Sequence, residues 1–124
     1  MTYEELYALA RQARENAYSP YSHVKVGAAI LCADGTVFTG ANVENSSYGA
    51  TICAERSAAV AAVSAGNKAF AAIAVSGTMD LETPCGICRQ FLSEFSPHME
   101  VIYRSNGELR VKKLSALLPE SFVL

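Results

Sequence analysis

The segments ICAER at residues 52–56 and TPCGICRQ at residues 83–90 constrain this chain more than any other stretch. Cys85 and Cys88 stand three residues apart at the start of a predicted helix, which puts both sulfurs on one side of its first turn. Cys53 opens a second predicted helix. Unpaired amides and the positive end of the macrodipole gather at a helix N-terminus, so such a position lowers a thiol's pKa and suits a thiolate. A fold that brings the two helix starts together therefore makes a cluster of three sulfurs, one more than a disulfide can use.

The elements around these segments follow from periodicity. Thr2 and Glu5 form a capping-box pattern, and Leu6, Leu9, Ala10, Ala13 and Ala17 repeat at helical spacing, predicting a first helix to about Asn16. VGAAIL and TVFTG read as two paired strands around the turn ADG. ANVENSSYGAT is polar and non-periodic, a loop or extended segment, and ICAERSAAVAAVSAG reads as an alanine-rich helix ended by Gly66. AFAAIAVS is a buried strand, LETP a break, and CGICRQFLSEF a helix whose first turn follows Pro84. EVIYR and ELRVKK flank Asn106-Gly107, a tight-turn signal, and SALLPESF supplies a short final helix and a tail. The order α-β-β-α-β-α-β-β-α predicts an α/β fold, a mixed sheet covered by helices on both faces, with the third and fourth strands as parallel neighbours.

The 124 residues are expected to form one domain, 1–124. The apolar runs stop well short of the roughly 18–20 residues a membrane span needs, so no membrane partner is expected. The opening MTYEELYALARQARENAY is acidic and periodic rather than basic and then apolar, which predicts a cytoplasmic chain without a secretory signal. A formal charge of −2 gives no general attraction for a polyanion, so no nucleic acid partner is expected and free small molecules are the better substrates. Four cysteines, Cys32, Cys53, Cys85 and Cys88, allow two disulfides in arithmetic, but in that compartment metal binding or catalysis is the expected use. Cys32 lies in an apolar strand run and is expected to be a small buried hydrophobe.

Three sulfur ligands with an open fourth position describe a catalytic zinc site, whereas a closed structural site takes four protein ligands. His23 or His98 could supply a fourth, although neither has a short metal-ligand spacing to a cysteine. Glu55, two residues after Cys53, is the candidate proton shuttle between a water and a leaving amine. Three thiolates leave a divalent ion with net negative charge, and Arg56 and Arg89 stand where guanidinium donors can hydrogen-bond sulfur and offset it. Two other classes use the same cysteines: a zinc-stapled binding module, which needs a full protein ligand set, and a thiol-disulfide exchanger at Cys85 and Cys88, which leaves Cys53 and Glu55 unexplained.

CAE at 53–55 with PCGIC at 84–88 and RQ at 89–90 resembles the zinc-dependent nucleoside deaminases in their all-cysteine variant. AYSPYS at 17–22, VGAA at 26–29, NVENSSYG at 42–49, CAER at 53–56 and LLPESF at 117–122 extend the similarity to the small cytidine deaminases over nearly the whole chain. The resemblance implies a three-layer α/β/α fold on a five-stranded mixed sheet. It also implies hydrolytic deamination of cytidine and 2'-deoxycytidine to uridine and 2'-deoxyuridine, with release of ammonia, in pyrimidine salvage. Cys53, Cys85 and Cys88 would hold one zinc ion per chain, and Glu55 would move protons. Asn42 and Glu44 would bind the ribose hydroxyls, and main-chain groups at Ala54 would read the pyrimidine edge. Small members resemble homotetramers whose sites are completed by neighbouring subunits, and Tyr48 and Phe122 match positions that close the pocket. One position departs: the family usually carries an aromatic ring where this chain has Val24, which removes a stacking face and keeps an aminonucleoside-antibiotic deaminase of the blasticidin type as the rival within the same chemistry.

Overall fold

Thr2 starts the first helix, α1 (Tyr3–Ala13), with the expected reciprocal cap. Its hydroxyl accepts from the Glu5 amide at 3.1 Å, and the Glu5 carboxylate accepts from the Thr2 amide at 2.8 Å. A single turn of 3₁₀ helix over Arg14–Asn16 finishes it. In this computed structural model residues 1–79 and 83–124 are described, so the first half of the break expected over LETP, residues 81–82, falls outside the described residues.

Strands β1 (Val26–Cys32) and β2 (Val37–Ala41) pair antiparallel around Gly35, whose φ of +90° belongs to the left-handed region that glycine enters without strain. Helix α2 (Ala54–Ser64) runs from Cys53 to a stop at Gly66, strand β3 (Phe70–Gly77) follows, and helix α3 (Gly86–Ser93) starts after Cys85. Strands β4 (Glu100–Ser105) and β5 (Glu108–Lys113) are joined by Asn106 and Gly107, both at positive φ as a two-residue hairpin turn requires. The last helix, α4 (Leu114–Leu117), is one turn long. It ends where Leu118 precedes Pro119, because the proline ring disfavours helical geometry in the residue before it.

Among the described residues five strands form one mixed sheet in the order β2-β1-β3-β4-β5. β3 and β4 are parallel, as a strand-helix-strand connection demands, and the other neighbours are antiparallel. The pleat of β1 divides the core. Ala28, Ile30 and Cys32 face a cluster with Ala54, Ala58 and Ala62 of α2 and Leu92 of α3, whereas Ala29 and Leu31 face Leu6, Tyr7 and Ala10 of α1. The result is a three-layer α/β/α arrangement in which α1 lies on one face of the sheet, and α2 and α3 lie on the other. VGAAILC lacks a polar alternation because both of its faces are covered.

Two glycines let the helices approach the sheet. A Cβ on Gly27 would lie 2.0 Å from the Ala10 carbonyl oxygen of α1, and one on Gly40 would lie 2.4 Å from the Ala58 amide and 2.8 Å from the Ala54 carbonyl oxygen of α2. Gly40 therefore sets the distance of α2, and with it the positions of Cys53 and Glu55. Gly40→Ala is expected to cost about 2–3 kcal/mol, the upper range for overpacking, and to lower zinc content. Gly49→Ala, where an added methyl meets nothing within 4 Å, is expected to be close to neutral in stability. Urea unfolding and metal analysis of the two variants check both statements.

Candidate active site

The loop before α2 is tied down before it delivers its cysteine. Val43 and Ile52 exchange main-chain hydrogen bonds, each at 2.9 Å, and Tyr18 donates to the Asn42 carbonyl at 2.9 Å. The segment read as a loop or extended stretch thus carries two isolated bridges, Tyr18 to Val43 and Val43 to Ile52, the second of which joins its two ends. Cys53 then caps α2 and Cys85 caps α3, both in extended geometry and neither spending its side chain on a cap hydrogen bond. Cys88 lies in the first turn of α3 and is fully buried. The sulfurs of Cys53 and Cys85 stand 3.9 Å apart, and those of Cys53, Cys85 and Cys88 all fall within 4.8 Å of one another.

Zinc fits this cluster. Sulfurs held at about 2.3 Å from one zinc in a tetrahedron are spaced by about 3.8 Å, close to the Cys53–Cys85 separation. All the cysteines are free thiols. Among the described residues no histidine or carboxylate joins the group, and neither His23 nor His98 reaches it. The donor set is that of one zinc ion with an open corner. Cys32 lies apart from the three, buried in the core below the sheet-facing side of α2.

Beside the sulfurs, Glu55 is only 4% exposed. Burial, and then the neighbouring Cys53 thiolate, push its carboxyl up to about 7, so protonated and ionised forms are both accessible near neutral pH, as an acid-base group needs. The Cys88 thiol and then the Arg56 guanidinium hold Cys53 well below the usual thiol range, while Cys88, bonded to that thiolate and desolvated, is pushed up. Arg56 donates from Nη2 to the Cys53 sulfur at 3.4 Å. Arg56→Gln is expected to retain the fold and lose about 10–100-fold in turnover or metal affinity, the usual effect of removing a group that tunes a metal ligand. Steady-state kinetics and zinc titration read it.

Arg89 behaves differently from its expectation. Its Nε donates to the Pro84 carbonyl at 2.7 Å and its Nη1 to the Leu117 carbonyl at 2.8 Å, so its hydrogen bonds go to the main chain and not to a sulfur. The reason is position. Arg89 follows Cys88 on α3 and faces the turn that enters the helix and the end of α4.

A cavity of about 310 Å³ opens onto the Cys53 and Cys85 side of the cluster, lined by Val24, Asn42, Cys53, Ala54, Glu55 and Cys85 among others. Asn42 accepts from the Val26 amide at 2.8 Å and donates to the Val24 carbonyl at 2.9 Å, leaving one amide hydrogen and acceptor capacity for a ligand. Glu44 does not line this cavity but an adjoining one with Tyr21, Ser22 and Tyr48, and Thr51 borders both. Its carboxylate accepts from the Tyr21 amide at 3.0 Å, the Ser22 amide at 3.1 Å and the Ser22 hydroxyl, and that hydroxyl above all keeps it below the usual carboxylate range. Tyr48 is 77% exposed and Phe122 69% exposed, and neither ring lines the sulfur cavity of its own chain.

Val75 and Gly77 at the end of β3, together with Met79 and Thr83, also form the cavity wall and were not singled out from the sequence. The signal was topological. Ligands of open α/β sheets gather beyond the carboxyl ends of parallel strands, and β3 is one of the two parallel strands here.

Known proteins share this arrangement. Residues 1–105 match the cytidine and deoxycytidylate deaminase zinc-binding region. The cytidine deaminase of Sporosarcina psychrophila is 45% identical over 125 residues, which cover 98% of this chain and 92% of that protein. The cytidine deaminase of Halalkalibacterium halodurans is 48% identical over 116 residues, covering 91% and 88%. The crystal structure of the cytidine deaminase from Burkholderia pseudomallei superposes with a TM-score of 0.93 at 49% identity, over 98% of this chain and 100% of that one. With the sulfur cluster, the buried glutamate and the sheet order in place, these likenesses mean that the chain belongs to the cytidine and deoxycytidylate deaminase zinc-binding family.

Proposed function

We propose that this chain is a cytidine deaminase, a hydrolase that converts cytidine and 2'-deoxycytidine to uridine and 2'-deoxyuridine with release of ammonia. The observation that carries the reading is the three-sulfur cluster, with no fourth protein ligand among the described residues, placed beside buried Glu55 in one cavity. Bound zinc supplies the Lewis acidity that activates a water for attack on the ring carbon bearing the amine. Glu55 takes the proton that the water gives up and delivers it to ring N3, then takes the second proton from the new C4 hydroxyl, which becomes the product carbonyl, and passes it to the amine so that it leaves as ammonia. A C4–O bond forms, the C4–N bond breaks, and ammonia departs. Burial supports that role, since a carboxyl near neutral pKa exchanges protons in both directions.

The remaining residues bind and orient. Asn42 and Glu44 take the ribose hydroxyls across the Thr51 border of the two cavities, Ala54 presents main-chain groups to the base edge, and Val24 packs on the ring without a stacking face. The single deaminase domain spans 1–124. Four copies assemble, and the exposed rings of Tyr48 and Phe122 complete a neighbour's cavity, which accounts for large aromatic side chains left in solvent on the isolated chain. Free thiols dedicated to a metal fit the reducing cytoplasm, and the reaction serves pyrimidine salvage. No helix among the described residues is long and apolar enough to cross a membrane.

Metal content combined with a substrate panel tests the reading in one preparation. One zinc per chain and loss of cytosine absorbance with cytidine and deoxycytidine are expected. A dominant rate on blasticidin S would transfer the assignment to the antibiotic, and a metal-free active protein would remove the mechanism.

A further inference from the structure

The two residues after the last sulfur, Arg89 and Gln90, reach the carboxy-terminal segment. One guanidinium joins the Pro84 carbonyl, immediately before Cys85, to the Leu117 carbonyl at the end of α4, through bonds of 2.7 and 2.8 Å. The end of a helix leaves carbonyls without intrahelical partners, so Leu117 is a natural acceptor. Gln90 pairs with Phe122 as a strand would. Its Nε2 donates to the Phe122 carbonyl at 3.0 Å, and its Oε1 accepts from the Phe122 amide at 3.0 Å. The side chains of Phe122, Val123 and Leu124 are exposed. Within one chain, burial of these three residues therefore does little to place the tail, and the Gln90 amide holds both polar groups of one tail residue.

We propose that Arg89 and Gln90 are positioning residues that lock the carboxy-terminal arm, residues 117–124, to the metal-binding turn, so that zinc binding and arm docking stabilise one another. The physical basis is shared placement. Zinc fixes Cys85, the cap of α3, and Cys88, which adjoins Arg89 and Gln90 in the same helix, and these in turn set where Leu117 and Phe122 can bond. Linkage makes the effect reciprocal: whatever factor the docked arm adds to zinc affinity, zinc adds to arm docking. The proposal rests on the zinc reading of the three sulfurs. It goes beyond that reading by giving the metal a second consequence, order in a segment that no sulfur touches.

The test follows two signals in the full-length protein: release of zinc to a chromogenic chelator, and trimming of Leu124, Val123 and Phe122 by a serine carboxypeptidase. Zinc-loaded Gln90→Ala is expected to lose its tail residues several-fold faster than the zinc-loaded wild type. It should also release zinc about three- to tenfold faster, the effect of removing two partly exposed hydrogen bonds. Stripping zinc should speed trimming in the wild type and leave the already fast Gln90→Ala unchanged. Arg89→Lys keeps the charge but loses the planar fork that spans two carbonyls, so it is expected to release zinc about tenfold faster. Equal trimming or equal zinc release in wild type and Gln90→Ala would overturn the proposal, and wild-type behaviour of Arg89→Lys would overturn the bridging role. A wild-type chain that binds no zinc would overturn the zinc reading as well, and metal analysis separates that outcome from the others.

Discussion

Glu55→Gln is expected to lower kcat on cytidine by about 10³-fold, inside the range that positioned acid-base catalysis supplies, while one zinc per chain remains. The side chain is buried, so glutamine fills the same space and no cavity opens. In the proposed reaction one water proton ends on ring N3 and the other passes from the new C4 hydroxyl to the amine, and an amide cannot hold and release either of them. The sulfur cluster does not include Glu55 among its donors, which is why the metal should stay. Thermal stability is expected to hold or rise slightly, because a carboxyl whose charged form is penalised by burial is replaced by a neutral group. Stopped assays for kcat, metal analysis and a melting curve on one preparation give the three readouts. Near wild-type turnover with the zinc in place would exclude Glu55 from proton transfer.

Cys88→Ala is expected to abolish both zinc retention and activity. Cys88 is the most buried of the three sulfur donors, and its loss leaves two ligands where a tetrahedral zinc site with one open corner needs three. Metal binding free energy is also folding free energy wherever the site does not exist in the unfolded chain, so the melting temperature of the zinc-loaded protein should drop by several degrees. Cys32→Ala is the control. Cys32 is buried in the core but stands outside the cluster, so this variant should keep its zinc and turnover and lose only about 1 kcal/mol of packing. Zinc retained through dialysis by Cys88→Ala would show that the ligand set is wrong.

Much of this was legible in local patterns. The Thr2–Glu5 box, the Asn106-Gly107 turn and the stop at Gly66 are decided by contacts three or four residues long, and each is found where its residues place it. The parallel pairing of β3 and β4 follows from the helix between them. At the site, Cys53 and Cys85 sit at helix starts because each precedes a helical run, and Arg56 reaches the Cys53 sulfur from one turn away. What was not legible lies where a side chain meets something distant. Arg89 bonds to Pro84 and to Leu117, the second of which is 28 residues away, and that partner carries no local mark. Glu44, expected at the ribose, is engaged by Ser22, 22 residues back in the chain, and lines a cavity adjoining that of the sulfurs, a partner and a place that no local pattern marks.

By itself the sequence determined the elements, their order and the identity of the chemical groups, because helix caps, turns and apolar periods depend on neighbours along the chain. Only the tertiary structure decided that β1 lies between β2 and β3, that Gly40 admits α2 against the sheet, and that two helix starts 32 residues apart place their sulfurs 3.9 Å from each other. Those outcomes depend on how two helix faces pack across one sheet. Such packing is a property of the whole chain at once, and no window of residues contains it.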